Sequence, residues 1–132
     1  MAQTTVVQAL GRRSAEQLTG MTLEEAFVER DRWVGQLRTP PGSVAGWHHH
    51  EDHDPFTYLV AGKARFEWAG ERMEASDLEP GDFVHITPHI VHRESNPGVT
   101  ANLLVIFRTG TGPLVSQVDS PEGTGTQGAT RA

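Results

Sequence analysis

Cysteine is absent from the 132 residues. Disulfides, zinc–thiolate sites, iron–sulfur clusters and cysteine nucleophiles are therefore all excluded. Long apolar runs are missing as well: none approaches the roughly 18 residues of a membrane-spanning helix. Basic charge is scarce. Eleven Lys and Arg stand against seventeen Asp and Glu, a formal net charge of −6. Nucleic acid and anionic membranes both select a basic face, so neither is expected as a partner. The start, Met-Ala-Gln-Thr-Thr-Val-Val, shows no basic stretch with an apolar one behind it, so no secretory signal is expected. The expectation is a soluble, cytoplasmic chain with one domain, large enough to bury a core without cross-links.

Histidine breaks this plain picture. All seven histidines fall between His48 and His92, leaving 47 residues before and 40 after without one. Around them lie short runs rich in β-branched and aromatic residues: Arg32–Thr39, Thr57–Ala61, Lys63–Trp68, Arg72–Glu74, Phe83–Ile86 and Ala101–Arg108. Pro40-Pro41-Gly42, Ala61-Gly62-Lys63, Ala69-Gly70-Glu71, Glu79-Pro80-Gly81-Asp82 and Asn96-Pro97-Gly98 supply turns between them. No long helical pattern alternates with these runs, which predicts an antiparallel all-β sandwich or barrel. Ser14–Gly20 is expected as a short helical turn, and Thr22–Phe27 as another turn or the lead into a strand. Leu114, Val115 and Val118 are expected in a last edge strand. The expected division is an N-terminal segment over residues 1–31, packing on the barrel or on a dimer partner, the barrel over 32–119, and a flexible Gly/Thr/Ser-rich tail over 120–132.

The histidines form two clusters. The first is Trp47-His48-His49-His50-Glu51-Asp52-His53-Asp54; the second is His85, His89 and His92 around Thr87-Pro88. In an extended chain residues two apart share a side, so His48 and His50 face inward together and His49 faces out. A third imidazole from another strand, His92, completes a facial set for a divalent transition metal, and carboxylate is its usual companion. Imidazole suits Fe(II), Mn(II), Ni(II) or Zn(II). The bland alternative is a solvated His-His-His loop with the other histidines in core hydrogen bonds. The agreement of spacing and turn context favours metal for His48, His50 and His92. His53, His85 and His89 divide between pocket wall, outer support and surface. Core or dimer packing is the favoured role of Trp33, Trp47 and Trp68, and Arg93 with Glu94 is expected to form an ion pair at the rim. One of the alternating pairs Phe66/Trp68 and Arg65/Glu67 faces the core; the sequence does not say which.

Both clusters resemble the two motifs of the cupin superfamily. The first motif is glycine, five residues, His-x-His, a glutamate and a closing glycine; Gly42, His48, His50 and Gly62 match. The second is glycine, five residues, Pro-x-Gly, two residues, His, three residues, Asn; Gly81, His92 and Asn96 match. The resemblance runs from Arg32 to about Val115. It implies an antiparallel double-sheet jelly-roll β-barrel with a short N-terminal helical or extended segment. It also implies one divalent metal, a small-molecule substrate or ligand, and a homodimer in which N-terminal strands cross to the partner. Two departures stand out. The motif's glutamate falls on Pro55, which makes Asp54 the expected fourth metal ligand if a bulge turns it inward, with His53 as the competitor. His89 stands where the second motif has glycine, and Thr87 where it has proline. The expected function is a metal-dependent enzyme of dioxygenase type on a small organic substrate. The alternatives are a metal-dependent isomerase or lyase, and a non-catalytic binding or sensor module.

Overall fold

The structure is a computed structural model that describes residues 3–15, 20–50, 52–111 and 116–121. The described residues form eleven strands: β1 Arg13–Ser14, β2 Thr22–Val28, β3 Arg32–Thr39, β4 His48–His49, β5 Asp54–Ala61, β6 Ala64–Ala69, β7 Met73–Leu78, β8 Phe83–His85, β9 His92–Ser95, β10 Asn102–Thr109 and β11 Ser116–Gln117. The helical element among them is one 3-10 turn, Ala9–Gly11. The turn expected from Ser14 is not there: Ser14 is extended in β1 and pairs with Glu24. The rest of that expected turn, 16–19, lies outside the described residues, as do Leu114, Val115 and most of the 120–132 tail. No helix of the described residues is long and apolar enough to cross a membrane.

The strands make two antiparallel sheets. One runs β1-β2-β3-β10-β5-β8, the other β11-β4-β9-β6-β7. Period-two alternation sets their facing surfaces. Along β3, Trp33, Gly35, Leu37 and Thr39 turn inward; along β10, Asn102, Leu104, Ile106 and Arg108 do. Leu23, Leu37, Leu59, Phe66, Leu104 and Ile106 are at most 5% exposed and fill the space between the sheets. The N-terminal strands β1 and β2 extend this chain's own six-stranded sheet.

The glycine that closes the first motif has a steric reason. Gly62 turns the β5–β6 hairpin at φ 85°, and a Cβ there would sit 2.9 Å from Asn102. Only glycine meets both demands. Asn96 closes the second motif as a buried staple: its Nδ2 donates to the carbonyls of Thr39 and Thr100, and its Oδ1 accepts from Gly98 N–H. His89 has φ 68°, so the left-handed turn of the motif persists although glycine does not.

Candidate metal centre

Strands β4 and β9 are adjacent, and His48 pairs directly with His92. His50 follows two residues after His48 and turns to the same side. The three imidazoles are buried, and each offers a ring nitrogen within 4.8 Å of the others. Ring centroids lie 4.3 Å apart for His48 and His92, 5.1 Å for His48 and His50, and 5.0 Å for His50 and His92. The expected trio is thus brought together, and His49 is turned away toward His89, 5.9 Å between rings.

Two of the rings are oriented the same way. His48 Nδ1 donates to the Gly46 carbonyl at 2.8 Å, and His92 Nδ1 donates to the Ile90 carbonyl at 3.0 Å. In each case the acceptor is two residues earlier. A proton held on Nδ1 leaves Nε2 as a bare lone pair, the form in which imidazole binds a metal. Both Nε2 atoms approach Glu94 Oε2, at 3.6 Å from His48 and 3.8 Å from His92. His48 Nε2 and Glu94 Oε2 are buried without a hydrogen-bond partner. Lone pairs and a carboxylate oxygen converging in a buried space repel one another unless a cation joins them. Protons fit poorly. Burial, then the neighbouring His48, push the His92 pKa down to about 3, with Arg108 and His49 adding to the effect and the Ile90 carbonyl opposing it. A divalent cation suits this donor set of imidazole and carboxylate.

Asp54 is not part of this group. No bulge turns it inward: the β5–β10 pairing runs unbroken through Arg108↔Pro55 and Thr109↔Asp54. Pro55 therefore faces the interior and Asp54 the outer surface of the sheet. There its Oδ1 lies 2.5 Å from His85 Nε2, and the His85 ring stacks on Phe56 at 4.1 Å. His53 is buried, yet it lies with Trp33 and Gly110 beside β2 and β3, outside the three-histidine group. His89 is exposed and reaches Asp52 at 2.9 Å.

The carboxylate at the cluster is Glu94, which the sequence reading assigned to a rim pair with Arg93. The two residues point to opposite faces of β9. Arg93 Nε instead donates to Glu67 at 2.8 Å, and its guanidinium lies 4.6 Å over the Trp47 ring. Phe66 and Trp68 are the pair that faces inward, both contributing to the pocket beside His92. Arg108 is the other charge inside. It is 2% exposed, lies 4.5 Å over the Trp33 ring, and lines a small inner cavity with His50, His92 and Glu94.

Two facing antiparallel sheets with three buried histidines between them form a jelly-roll architecture around a group that could hold a metal ion. A family model described as "Cupin domain" matches residues 35–107, more than half of the sequence, and the chain belongs to that family. No curated protein matches the sequence. Among solved structures, the chain is similar to oxalate decarboxylase from Bacillus subtilis. One such structure, concerned with its Mn(II) centres, has a TM-score of 0.71 at 16% identity over 83% of this chain. The same enzyme at pH 4.6 gives the same values. A tryptophan-to-tyrosine variant gives a TM-score of 0.68 at 16% identity over 76% of the chain. This chain spans about 30% of the length of those proteins. At such identity the likeness speaks for the fold.

Proposed function

We propose that this cupin is a metal-dependent enzyme of dioxygenase type acting on a small organic substrate. Its metal is held by His48, His50, His92 and Glu94. The observation that carries this reading is the shared orientation of His48 and His92, Nδ1 tied to a carbonyl and Nε2 aimed at the orphaned oxygen of Glu94. A bound divalent transition metal would supply open coordination positions for a substrate and dioxygen side by side. The chain's own residues prepare that chemistry. The Gly46 and Ile90 carbonyls lock the two imidazoles in one tautomer. Glu94 contributes a negative charge that makes a metal a weaker Lewis acid and a better electron donor. The apolar walls around the cluster keep water away from it.

The reading of Asp54 as fourth ligand is replaced by Glu94, so the anionic donor that favours oxygen chemistry is retained from a different strand. A lyase is the second reading, favoured by the fold likeness to a decarboxylase with Mn(II) centres. Elemental analysis of protein purified without an affinity tag, followed by oxygen uptake of the Fe(II)-loaded form with candidate substrates, separates them. Oxygen consumption coupled to substrate loss supports the dioxygenase. Substrate loss with evolution of carbon dioxide and no oxygen uptake overturns it.

We also propose a homodimer, joined through the outer face of the six-stranded sheet. Phe27, Val34, Phe107 and Phe56 lie in one row across β2, β3, β10 and β5. Phe56 and Phe107 are about 40% exposed, and Val105 and Val60 extend the patch. A contiguous apolar surface of this kind is a common mark of an interface. Light scattering of the wild type and of Phe107→Arg tests it: a dimer that becomes a monomer supports the proposal, and a monomeric wild type overturns it.

A further inference from the structure

Beside the histidine cluster the two sheets part. The edge strand β8 of one sheet faces β6 of the other, and the segment 86–90 closes one side. A pocket of about 250 Å³ lies in this gap, lined by Phe66, Trp68, Val84, Ile86, Ile90 and His92 among others. Phe66, Trp68, Val84, Ile86 and Ile90 make it mostly apolar, and the exposed His85 and Thr87 complete its lining with Gly70 and His92; Trp68, Val84 and Ile86 are half-buried against the core. On the inner side of His92 the cavity next to Glu94 and Arg108 has only about 20 Å³, room for about one water-sized group. The two spaces share Phe66, Ile86 and His92, so they meet at the cluster.

We infer that the ligand of this site has an apolar body, about the size of one aromatic ring, and a single oxygen-donor head. This deepens the metal-centre reading and rests on it for the head. The body follows from volume and lining. The inner cavity is too small for an organic skeleton, so the skeleton lies in the outer pocket. An apolar cavity of roughly 150 Å³ already holds benzene, so about 250 Å³ accommodates a ring with a short substituent. The outer walls offer little to a small, fully polar substrate: burying its charges against Phe66, Trp68 and Ile90 gives no compensating hydrogen bonds there, and the polar lining residues His85, held by Asp54, and Thr87 are exposed. An apolar ring there is removed from water and gains by the area it buries. The head sits at the His92 end, where the cluster presents its bare nitrogens and Arg108 adds positive charge.

The test uses two probes with one head. The Zn(II)-loaded protein is titrated calorimetrically with acetohydroxamate and benzohydroxamate. Benzohydroxamate should bind at least tenfold more tightly. Val84→Asp, which places a charge in the outer pocket away from the histidines, should erase that advantage and leave acetohydroxamate affinity within a few-fold. Equal affinities in the wild type, or an advantage untouched by Val84→Asp, would overturn the inference. A second arm needs no metal. Toluene added to metal-free protein should shift the methyl resonances of Val84, Ile86 and Ile90 and leave those of Val105, on the outer face, in place. Absence of these shifts overturns the pocket assignment even if metal binds. Their presence without zinc binding sustains the pocket and sinks the metal reading instead.

Discussion

Two carboxylate–histidine groups in this protein share their chemistry and differ in their surroundings. Glu94 meets His48 and His92 between the sheets, where its side chain is 8% exposed. Asp54 meets His85 on the outer surface, with side chains 33% and 43% exposed. On the surface, water screens the pair, so the contact contributes little. Inside, desolvation keeps His92 neutral and leaves the Glu94 oxygen facing lone pairs. The same two chemical groups, imidazole and carboxylate, make a polar surface contact in one place and, in the other, the cluster we assign to a cation. Burial and tautomer decide, not proximity in the sequence.

The comparison breaks most sharply on the histidines. His48→Ala, His50→Ala and His92→Ala should each reduce bound metal to a small fraction of one per chain, a loss of at least 100-fold in affinity. His49→Ala and His85→Ala should leave it near wild type. Elemental analysis of the folded variants reads this directly.

Acid should separate the two groups next. His92 has a pKa near 3 in the folded, metal-free protein and about 6.5 when unfolded. The unfolded chain therefore binds the extra proton first. Stability from this residue is complete above about pH 6.5 and is lost as the pH falls toward 3. Between pH 7 and pH 5 the loss should be about 2 kcal/mol. Urea unfolding of metal-free protein at the two pH values measures it. His92→Gln should flatten the dependence by most of that amount.

A smaller effect concerns the turn beside Asp52. His89 holds a left-handed conformation that costs a non-glycine residue roughly 1 kcal/mol. Its contact with Asp52 is exposed and contributes little. His89→Gly should therefore raise stability by a few tenths to about 1 kcal/mol with no change in metal binding, as thermal melting would show.

Much of this was legible because local rules act on each residue alone. Arg32–Thr39 reads as a strand from its alternation and its Pro-Pro-Gly stop, and it is one. Period two placed His48 and His50 together and His49 away. The same rule applies to His92 and Glu94, two apart on β9, and to Leu104, Ile106 and Arg108 on β10. Their charges made a surface role look natural, and only the tertiary neighbours show otherwise. Strand β9, His-Arg-Glu-Ser, has no apolar residue to announce it, yet all four of its residues are buried. It is a central strand between β4 and β6, with the cluster on one face and the Arg93–Glu67 pair on the other. Asp54 lies outside the three-histidine group for a local reason: Pro55 continues the strand in unbroken register with β10, which turns Pro55 inward and Asp54 outward.

Glu94, and not Asp54, is the proposed anionic ligand of a buried metal. The direct test is the metal dissociation constant of Glu94→Gln beside that of Asp54→Asn, measured by competition with a chelator of known affinity. Glu94→Gln keeps the shape of the side chain and removes its charge, and should weaken binding by at least 10–100-fold. Asp54→Asn should stay within a few-fold of wild type. A large loss in Asp54→Asn with Glu94→Gln unchanged would contradict the account.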